Sequence, residues 1–201
     1  MSDLLETQRQ LQAQADQVVR ALQLNECFSV LGQPVRVGSS AMGLMVRRDI
    51  DITVICAKLD ADALEAFSAL GAGFMRMTEQ VVAVRFRNDC GQWNREPEKY
   101  PDGLYLWLSV QGPDRTMWTI DIWLVDQPER QPDIAHVRTL IPRLTDGDRE
   151  TILRIKTALA EAPQNGASIP SALVYEAVMD HGIDTIAEFE NWYREHEGCC
   201  A

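Results

Sequence analysis

Residues 35–55 read VRVGSSAMGLMVRRDIDITVI, and the interpretation of the whole chain starts from this stretch. A short apolar strand runs into Gly38-Ser39, and ten residues after Ser39 the pair Asp49-x-Asp51 opens a second apolar strand. Small residues at a turn let backbone amides approach a phosphate. Carboxylates at positions i and i+2 of a strand point to the same face and can share a divalent metal. The stretch therefore indicates a phosphate-handling, metal-dependent site.

The composition is that of an ordinary globular protein with an acidic balance. The chain has 201 residues, of which 46% are hydrophobic and 24% charged, and its formal net charge is -11. A negative net charge disfavours strong binding to a long nucleic acid, whose phosphates are negative as well, and it suits a small cationic substrate. The polar N-terminus has no apolar signal segment, which predicts a cytoplasmic protein with no membrane partner. The oligomeric state is left open.

The five cysteines suggest neither a disulfide framework nor a zinc site, because they contain no CxxC pair and no zinc spacing with the three histidines. Cys56 lies in an apolar strand and is expected in the core. Cys199 and Cys200 are expected in a terminal tail.

The apolar patterns predict an α+β fold. One helix is expected over 3–24, a second over 60–70 ending at Gly71, and strands over about 35–37, 50–56, 80–87, 103–110 and 117–125, with a long loop at 88–103 and a hairpin turn at 111–114. After Asp126 only helices are expected. The first lies near 129–141, and the second follows the capping pair Thr145 and Asp148. The third begins at Ser168 and Pro170, and the last follows the capping pair Thr185 and Glu188. We therefore expect a mixed β-sheet core flanked by helices in residues 1–127 and a helical C-terminal region in residues 128–201.

A third carboxylate, Asp121, interrupts a later apolar strand. If that strand pairs beside the one that Asp49 opens, Asp121 completes a cluster with Asp49 and Asp51. Three carboxylates that close raise one another's pKa, and a divalent metal removes the conflict. The alternatives are that Asp121 faces solvent on an edge strand, or that it pairs with Arg85 or Arg87.

Taken together, Gly38-Ser39, Asp49-x-Asp51 and Asp121 resemble the DNA polymerase β-like nucleotidyltransferase superfamily. The pattern of that superfamily is an apolar strand, Gly-Ser, a short helix, an acidic-x-acidic pair, and a third acid on a following strand. The resemblance covers roughly residues 30–125, and the rest of the chain resembles the superfamily only in being helical. The length and the helical remainder look like the small antibiotic (aminoglycoside and lincosamide) nucleotidyltransferases and related minimal nucleotidyltransferases.

The resemblance implies transfer of a nucleoside monophosphate from an NTP to an acceptor hydroxyl, with release of pyrophosphate. It implies that Asp49 and Asp51 hold the metal that bridges the triphosphate, and that Asp121 binds a second metal or acts as general base. Gly38 and Ser39 would contact the β and γ phosphates. The implied cofactor is Mg²⁺ at two sites, and the implied partners are an NTP and a small hydroxyl-bearing acceptor, with nucleic acid unlikely.

Four other residues near this pattern have open roles. Lys156 can reach the triphosphate, although a solvated position at a helix edge is favoured. Arg47 and Arg48 are near the site in sequence and either contact phosphate or lie on the surface. Trp93, in the long loop, is available to stack on a base or on an acceptor.

Two other functions compete with small-molecule transfer. The same chemistry can act on a protein or a tRNA end, as in toxin–antitoxin nucleotidyltransferases. Alternatively, the fold can serve as a non-catalytic nucleotide-binding or scaffold module. The presence of all three carboxylates argues against this alternative.

Overall fold

The computed structural model describes residues 3–161 and 169–198. Within these ranges the chain forms strands β1 (Gln33–Val37), β2 (Asp49–Ile55), β3 (Val81–Asp89), β4 (Gly103–Gln111) and β5 (Met117–Val125), and helices α1 (Asp3–Ala21), α2 (Leu24–Ser29), α3 (Gly38–Met42), α4 (Ala61–Met75), α5 (Pro132–Leu140), α6 (Asp146–Glu161), α7 (Ser171–His181) and α8 (Ile186–Gly198). Ser168, Cys199 and Cys200, which entered the sequence predictions, lie outside the described residues.

All five predicted strands are present, and they form one mixed sheet in the order β1-β2-β5-β4-β3. Strands β2 and β5 are parallel, and the other neighbouring pairs are antiparallel. The predicted hairpin joins β4 to β5, and its turn is closed by a hydrogen bond from Gly112 N to Thr116 O at 2.8 Å. The α+β prediction is confirmed, with strands in the first part of the chain and helices after β5.

One face of the sheet is covered by helices along its central strands, and the other carries the acidic residues of interest. On the covered face, Ile50 and Ile52 of β2 and Ile120 and Ile122 of β5 are 2% exposed or less. They pack in one hydrophobic cluster with side chains from α1, α2 and α4. Because side chains alternate along a strand, Asp49, Asp51 and Asp121 lie on the opposite face. The isoleucines therefore fix the strand positions on which the carboxylates stand.

The helix predicted over 3–24 is divided in two. Helix α1 ends at Ala21, and Gln23 has a left-handed backbone with φ of 51°. Leu22 and Leu24 are both buried on either side of this break. The apolar pattern therefore continues through the turn, which is why it gave no signal of a helix end.

The prediction that the second helix ends at Gly71 is wrong, because α4 continues to Met75. Gly71 lies against the ring of Phe86 on β3, and a Cβ added there would come closer than 3.0 Å to that ring. The glycine lets α4 approach β3 closely instead of ending the helix.

The C-terminal helices build a second hydrophobic cluster, which also includes Met42 and Leu44 from the first part of the chain. Both predicted capping pairs are confirmed. Asp148 N donates to Thr145 Oγ1 at 3.2 Å, and Glu188 N donates to Thr185 Oγ1 at 3.2 Å. Helix α5 starts at Pro132, later than predicted, after a short 3₁₀ turn at Pro128–Arg130.

In the described ranges, no helix is both long enough and apolar enough to cross a membrane. The division of the chain into residues 1–127 and 128–201 stays a prediction.

Candidate active site

The structure brings the three predicted carboxylates together. Asp51 of β2 is the direct register partner of Asp121 on the parallel strand β5, and Asp49 lies two residues earlier on the same face. One carboxylate oxygen from each of the three residues can be chosen so that all lie within 4.8 Å of one another. The predicted pairing of the two strands is thus confirmed, and the alternative of a solvent-facing Asp121 on an edge strand is wrong, since β5 lies inside the sheet.

The cluster brings three carboxylates together without a direct ion pair among the described residues, although the more distant charges of Lys156 and Arg87 act on it. Burial raises the pKa of Asp51 well above its ordinary range, and the charges of Asp49 and Asp121 raise it further. Burial also raises the pKa of Asp121 to about 6, against a hydrogen bond from Tyr105 that lowers it. No salt bridge among the described residues involves any of the three carboxylates. Closely spaced carboxylate oxygens lacking a positive partner fit a divalent cation such as Mg²⁺.

Gly38 is in direct contact with this cluster. It begins α3 with a φ of +63°, and a Cβ there would come closer than 3.0 Å to the carboxylate of Asp51. Both features require glycine at this position. The following residue, Ser39, is partly exposed beside it. The structure therefore places Gly38 beside Asp51, whereas a phosphate contact by Gly38 and Ser39 stays a prediction.

Tyr105 on β4 is a member of the site that sequence reasoning missed. Its hydroxyl donates a hydrogen bond to Asp121 Oδ1. Its ring lies 4.9 Å from that of Trp123, and the Arg87 guanidinium stands 4.9 Å over it. The sequence shows only that Tyr105 lies in a strand with alternating burial. The register between β4 and β5 is needed to show that its hydroxyl reaches Asp121.

Lys156 corrects a sequence prediction, because it is not a solvated helix-edge residue. It is 8% exposed, and its Nζ donates to the Leu44 carbonyl at 2.8 Å and to the Tyr175 hydroxyl at 3.2 Å. Burial lowers the pKa of Lys156 to about 8, and the charge of Asp51 opposes that change. Its side chain lies with Ile152 and Ile155 on the buried part of α6.

The two arginines before the acidic pair are exposed. The carbonyl of Arg48 accepts a hydrogen bond from Thr119 N at 3.0 Å, which joins the start of β2 to β5. The side chain of Arg47 contributes to the electrostatics of Lys156, whose pKa it lowers. A phosphate contact by either arginine stays a prediction.

A cavity of about 650 Å³ lies between the end of β3, the loop that follows it, Trp123 on β5 and the start of α5; none of the three carboxylates lines it. Trp93, 60% exposed, and Trp123 both line it. Arg87 and Asp89, which form an ion pair at 2.7 Å, lie on its wall, as does the partly buried Asp133. Burial raises the pKa of Asp133, and the nearby charge of His136 opposes this.

No protein-family model matches the chain, and no curated protein matches it. Among solved structures, a cytoplasmic RNA terminal U-transferase superposes with a TM-score of 0.55 at 13% identity, over 88% of this chain and 51% of that one. A mutant of the Cid1 poly(U) polymerase bound to MgATP superposes with a TM-score of 0.53 at 16% identity, over 91% of this chain and 52% of that one.

The chain spans about half the length of these two neighbours, and at such low identity the likeness concerns the fold. The predicted small-molecule subgroup gains no support from them, since both neighbours are named for RNA or poly(U) chemistry. The mixed five-stranded sheet with flanking helices is the fold that this chain shares with these two structures.

Proposed function

We propose that this protein is a metal-dependent nucleotidyltransferase that moves a nucleoside monophosphate from an NTP to a hydroxyl of a small molecule. The cluster of three carboxylates is the observation that carries the proposal, because one oxygen from each lies within 4.8 Å of the others and none of the three forms a salt bridge within the described residues. Two structural neighbours, one of them bound to MgATP, support the use of an NTP and a divalent metal. We also propose a cytoplasmic location, on the basis of the sequence and of the likeness to a cytoplasmic RNA terminal U-transferase.

In the proposed reaction the acceptor oxygen forms a bond to the α-phosphorus. The bond from that phosphorus to the bridging oxygen of pyrophosphate breaks, and the hydroxyl proton passes to a base. Mg²⁺ held by Asp49, Asp51 and Asp121 would stabilise the attacking and the leaving oxygens of this displacement. Two such ions are part of the proposal.

The chain's own residues position the reactants around the carboxylates. Gly38 and Ser39 contact the β and γ phosphates, which places the leaving group beside Asp51. Tyr105 holds one oxygen of Asp121, so the other oxygen is left for a metal or for the acceptor proton. Both roles of Asp121, second metal ligand and general base, are compatible with this contact.

The test is pyrophosphate release with Mg²⁺ and each of the four NTPs, against a panel of small hydroxyl compounds. Asp51→Asn should abolish turnover while the protein stays folded, because the substitution removes a carboxylate ligand. Asp62→Asn, on the exposed surface of α4, is the matched control and should turn over like wild type. Activity of Asp51→Asn close to that of wild type would sink the site assignment.

A second candidate acceptor is the end of an RNA chain. The two structural neighbours favour it, and the net charge of -11 opposes it. Adding tRNA and short RNA to the same assay separates the two acceptors. A third outcome, in which Mg²⁺ and any NTP fail to raise the melting temperature, would indicate a scaffold, since a ligand bound only by the native state stabilises it by mass action.

A further inference from the structure

We propose that Arg149 of α6 is a positioning residue of the active site, which holds the end of α3 so that Gly38 and Ser39 face the triphosphate of the bound NTP. The inference rests on the proposed function. It adds to that function a residue of the C-terminal helices that acts through the main chain and not by contact with the nucleotide.

The contact joins a guanidinium group to the main chain of α3. Arg149 Nη1 donates a hydrogen bond to the carbonyl oxygen of Met42, the last residue of that helix. The last carbonyl groups of a helix have no partner inside the helix, and a positive charge near them is favourable. No salt bridge within the described ranges involves Arg149, so no carboxylate competes there for its charge. The side chain therefore caps α3 from a position 107 residues away in the sequence.

Gly43 makes room for this contact. It has a left-handed backbone with φ of +69°, and a Cβ added there would stand 2.9 Å from Arg149 Nη1. A larger residue would be strained in this conformation and would also press against the guanidinium. The carbonyl of Leu44, on the other side of the glycine, accepts a hydrogen bond from Lys156 Nζ at 2.8 Å. Helix α6 therefore holds the main chain on both sides of Gly43.

A helix as short as α3 depends on outside contacts for its position. It has five residues, and helices of that length are not stable on their own. Its first residue, Gly38, lies against the carboxylate of Asp51, and its last residue is held by Arg149. The two ends are only about 6 Å apart along the axis, so a shift at Met42 is passed on to Gly38 and Ser39.

Other contacts hold this segment without replacing Arg149. The side chains of Met42 and Leu44 are 2% and 0% exposed, in the second hydrophobic cluster. Apolar contacts are non-directional, so they keep the segment in the core without fixing the direction of α3. Ser40 Oγ donates to the Val37 carbonyl at 3.3 Å, which holds the first turn. The bond from Arg149 adds a directional contact at the far end.

The carboxylates do not depend on Arg149. Asp49, Asp51 and Asp121 stand on β2 and β5, and buried isoleucines fix these strands on the opposite face of the sheet. Loss of the arginine should therefore weaken the phosphate side of the site and leave the metal side as it is. A residue that only stabilised the fold would weaken both sides together.

The test compares wild type with Arg149→Met and Arg149→Lys. Titration calorimetry gives the Kd of each of the four MgNTPs, magnetic resonance gives the Kd of Mn²⁺ without nucleotide, and thermal melts report folding. Arg149→Met should bind the preferred MgNTP roughly tenfold more weakly or worse, as the loss of a hydrogen bond to a charged group does, at an unchanged Mn²⁺ affinity. Arg149→Lys keeps the charge and loses the planar guanidinium, so it should bind with intermediate affinity. The matched control is Arg154→Met, exposed on the same helix, which should bind both ligands like wild type.

Two results would overturn the inference alone. One is equal MgNTP affinity in wild type and Arg149→Met. The other is a parallel loss of MgNTP and Mn²⁺ affinity in Arg149→Met, which would show that the arginine stabilises the fold as a whole. If Arg149→Met does not fold, Arg149→Lys decides, and MgNTP affinity equal to that of wild type is then the contrary result. A wild type that binds none of the four MgNTPs would instead overturn the proposed function, and the inference with it.

Discussion

Asp121→Asn should stabilise the metal-free protein at neutral pH, although the residue is part of the proposed active site. The pKa of Asp121 is raised to about 6 from an ordinary 3.8, mainly by burial. Each pH unit of that difference corresponds to about 1.36 kcal/mol, so the ionised carboxylate costs at most about 3 kcal/mol in the folded state. Since the group is partly exposed and screened by solvent, we expect roughly 1–2 kcal/mol. For a protein of this size the melting temperature then rises by roughly 2–8 °C.

The pH dependence follows from the same raised pKa. At low pH Asp121 is protonated in both states and contributes nothing to the difference. Between about pH 4 and 6 the unfolded chain ionises first, so the stability of the wild type falls as pH rises, and above about pH 6 the penalty is complete. The advantage of Asp121→Asn should therefore be present at neutral pH and vanish in acid.

Mg²⁺ should reverse the order of the two proteins. A cation bound to the folded state offsets the repulsion in the wild type, whereas the variant has lost a ligand. Thermal melts of wild type, Asp121→Asn and the control Asp62→Asn in EDTA and in Mg²⁺, in acid and near neutrality, check the argument. An Asp121→Asn protein that is less stable than wild type in EDTA near neutrality, or that Mg²⁺ stabilises as much as wild type, would show that the ionised Asp121 carboxylate does not destabilise the metal-free fold.

Three further predictions concern single residues. Gly71→Ala should lower the free energy of unfolding by about 1–3 kcal/mol in thermal or denaturant melts, because the added Cβ meets the ring of Phe86 on β3. Gly73→Ala in the same helix is the control: its Cβ meets nothing within 4 Å, so the free energy of unfolding should rise by about 0.5–1 kcal/mol. Tyr105→Phe should leave the fold intact and change the affinity for Mn²⁺ measured by magnetic resonance, because the Asp121 carboxylate loses the hydrogen bond that orients it. An unchanged Mn²⁺ affinity would show that Tyr105 is not part of the site. Because burial lowers the pKa of Lys156 to about 8 in the folded state, the free energy of unfolding of the wild type should rise as the pH increases above about 8, until the lysine of the unfolded chain also loses its proton. Lys156→Met should lack this contribution when the free energy of unfolding is measured across the same pH range.

The strands and the carboxylate cluster could be predicted because both depend on local periodicity. Alternating apolar residues marked β2 and β5, and the spacing of Asp49 and Asp51 placed both on one face. Adding Asp121 required only that the two strands be neighbours. The structure confirms this and makes Asp51 its register partner.

The residues that sequence reasoning missed depend on contacts across long separations. Lys156 looks like an edge lysine in its own helix, and its partner is the carbonyl of Leu44, 112 positions away. Tyr105 has no local feature that distinguishes it from other strand tyrosines until the register with β5 is known. Gly71 carries the usual signal of a helix end, and only the ring of Phe86 explains why it lies inside α4.

The two faces of the sheet explain why the carboxylates can stay close together despite their repulsion. On a mobile loop, like charges would separate and their pKa values would return toward ordinary ones. Here Ile50, Ile52, Ile120 and Ile122 are nearly completely buried on the opposite face, so moving either acidic strand would disturb the core. Burial of such side chains is worth about 1.5–3 kcal/mol each, more than the roughly 1–2 kcal/mol that the ionised carboxylate of Asp121 costs in its partly buried position. The core therefore holds the three carboxylates close together at partly buried positions. Burial first, and this proximity second, raise the pKa values of Asp51 and Asp121, and a bound divalent cation would stabilise the ionised carboxylates.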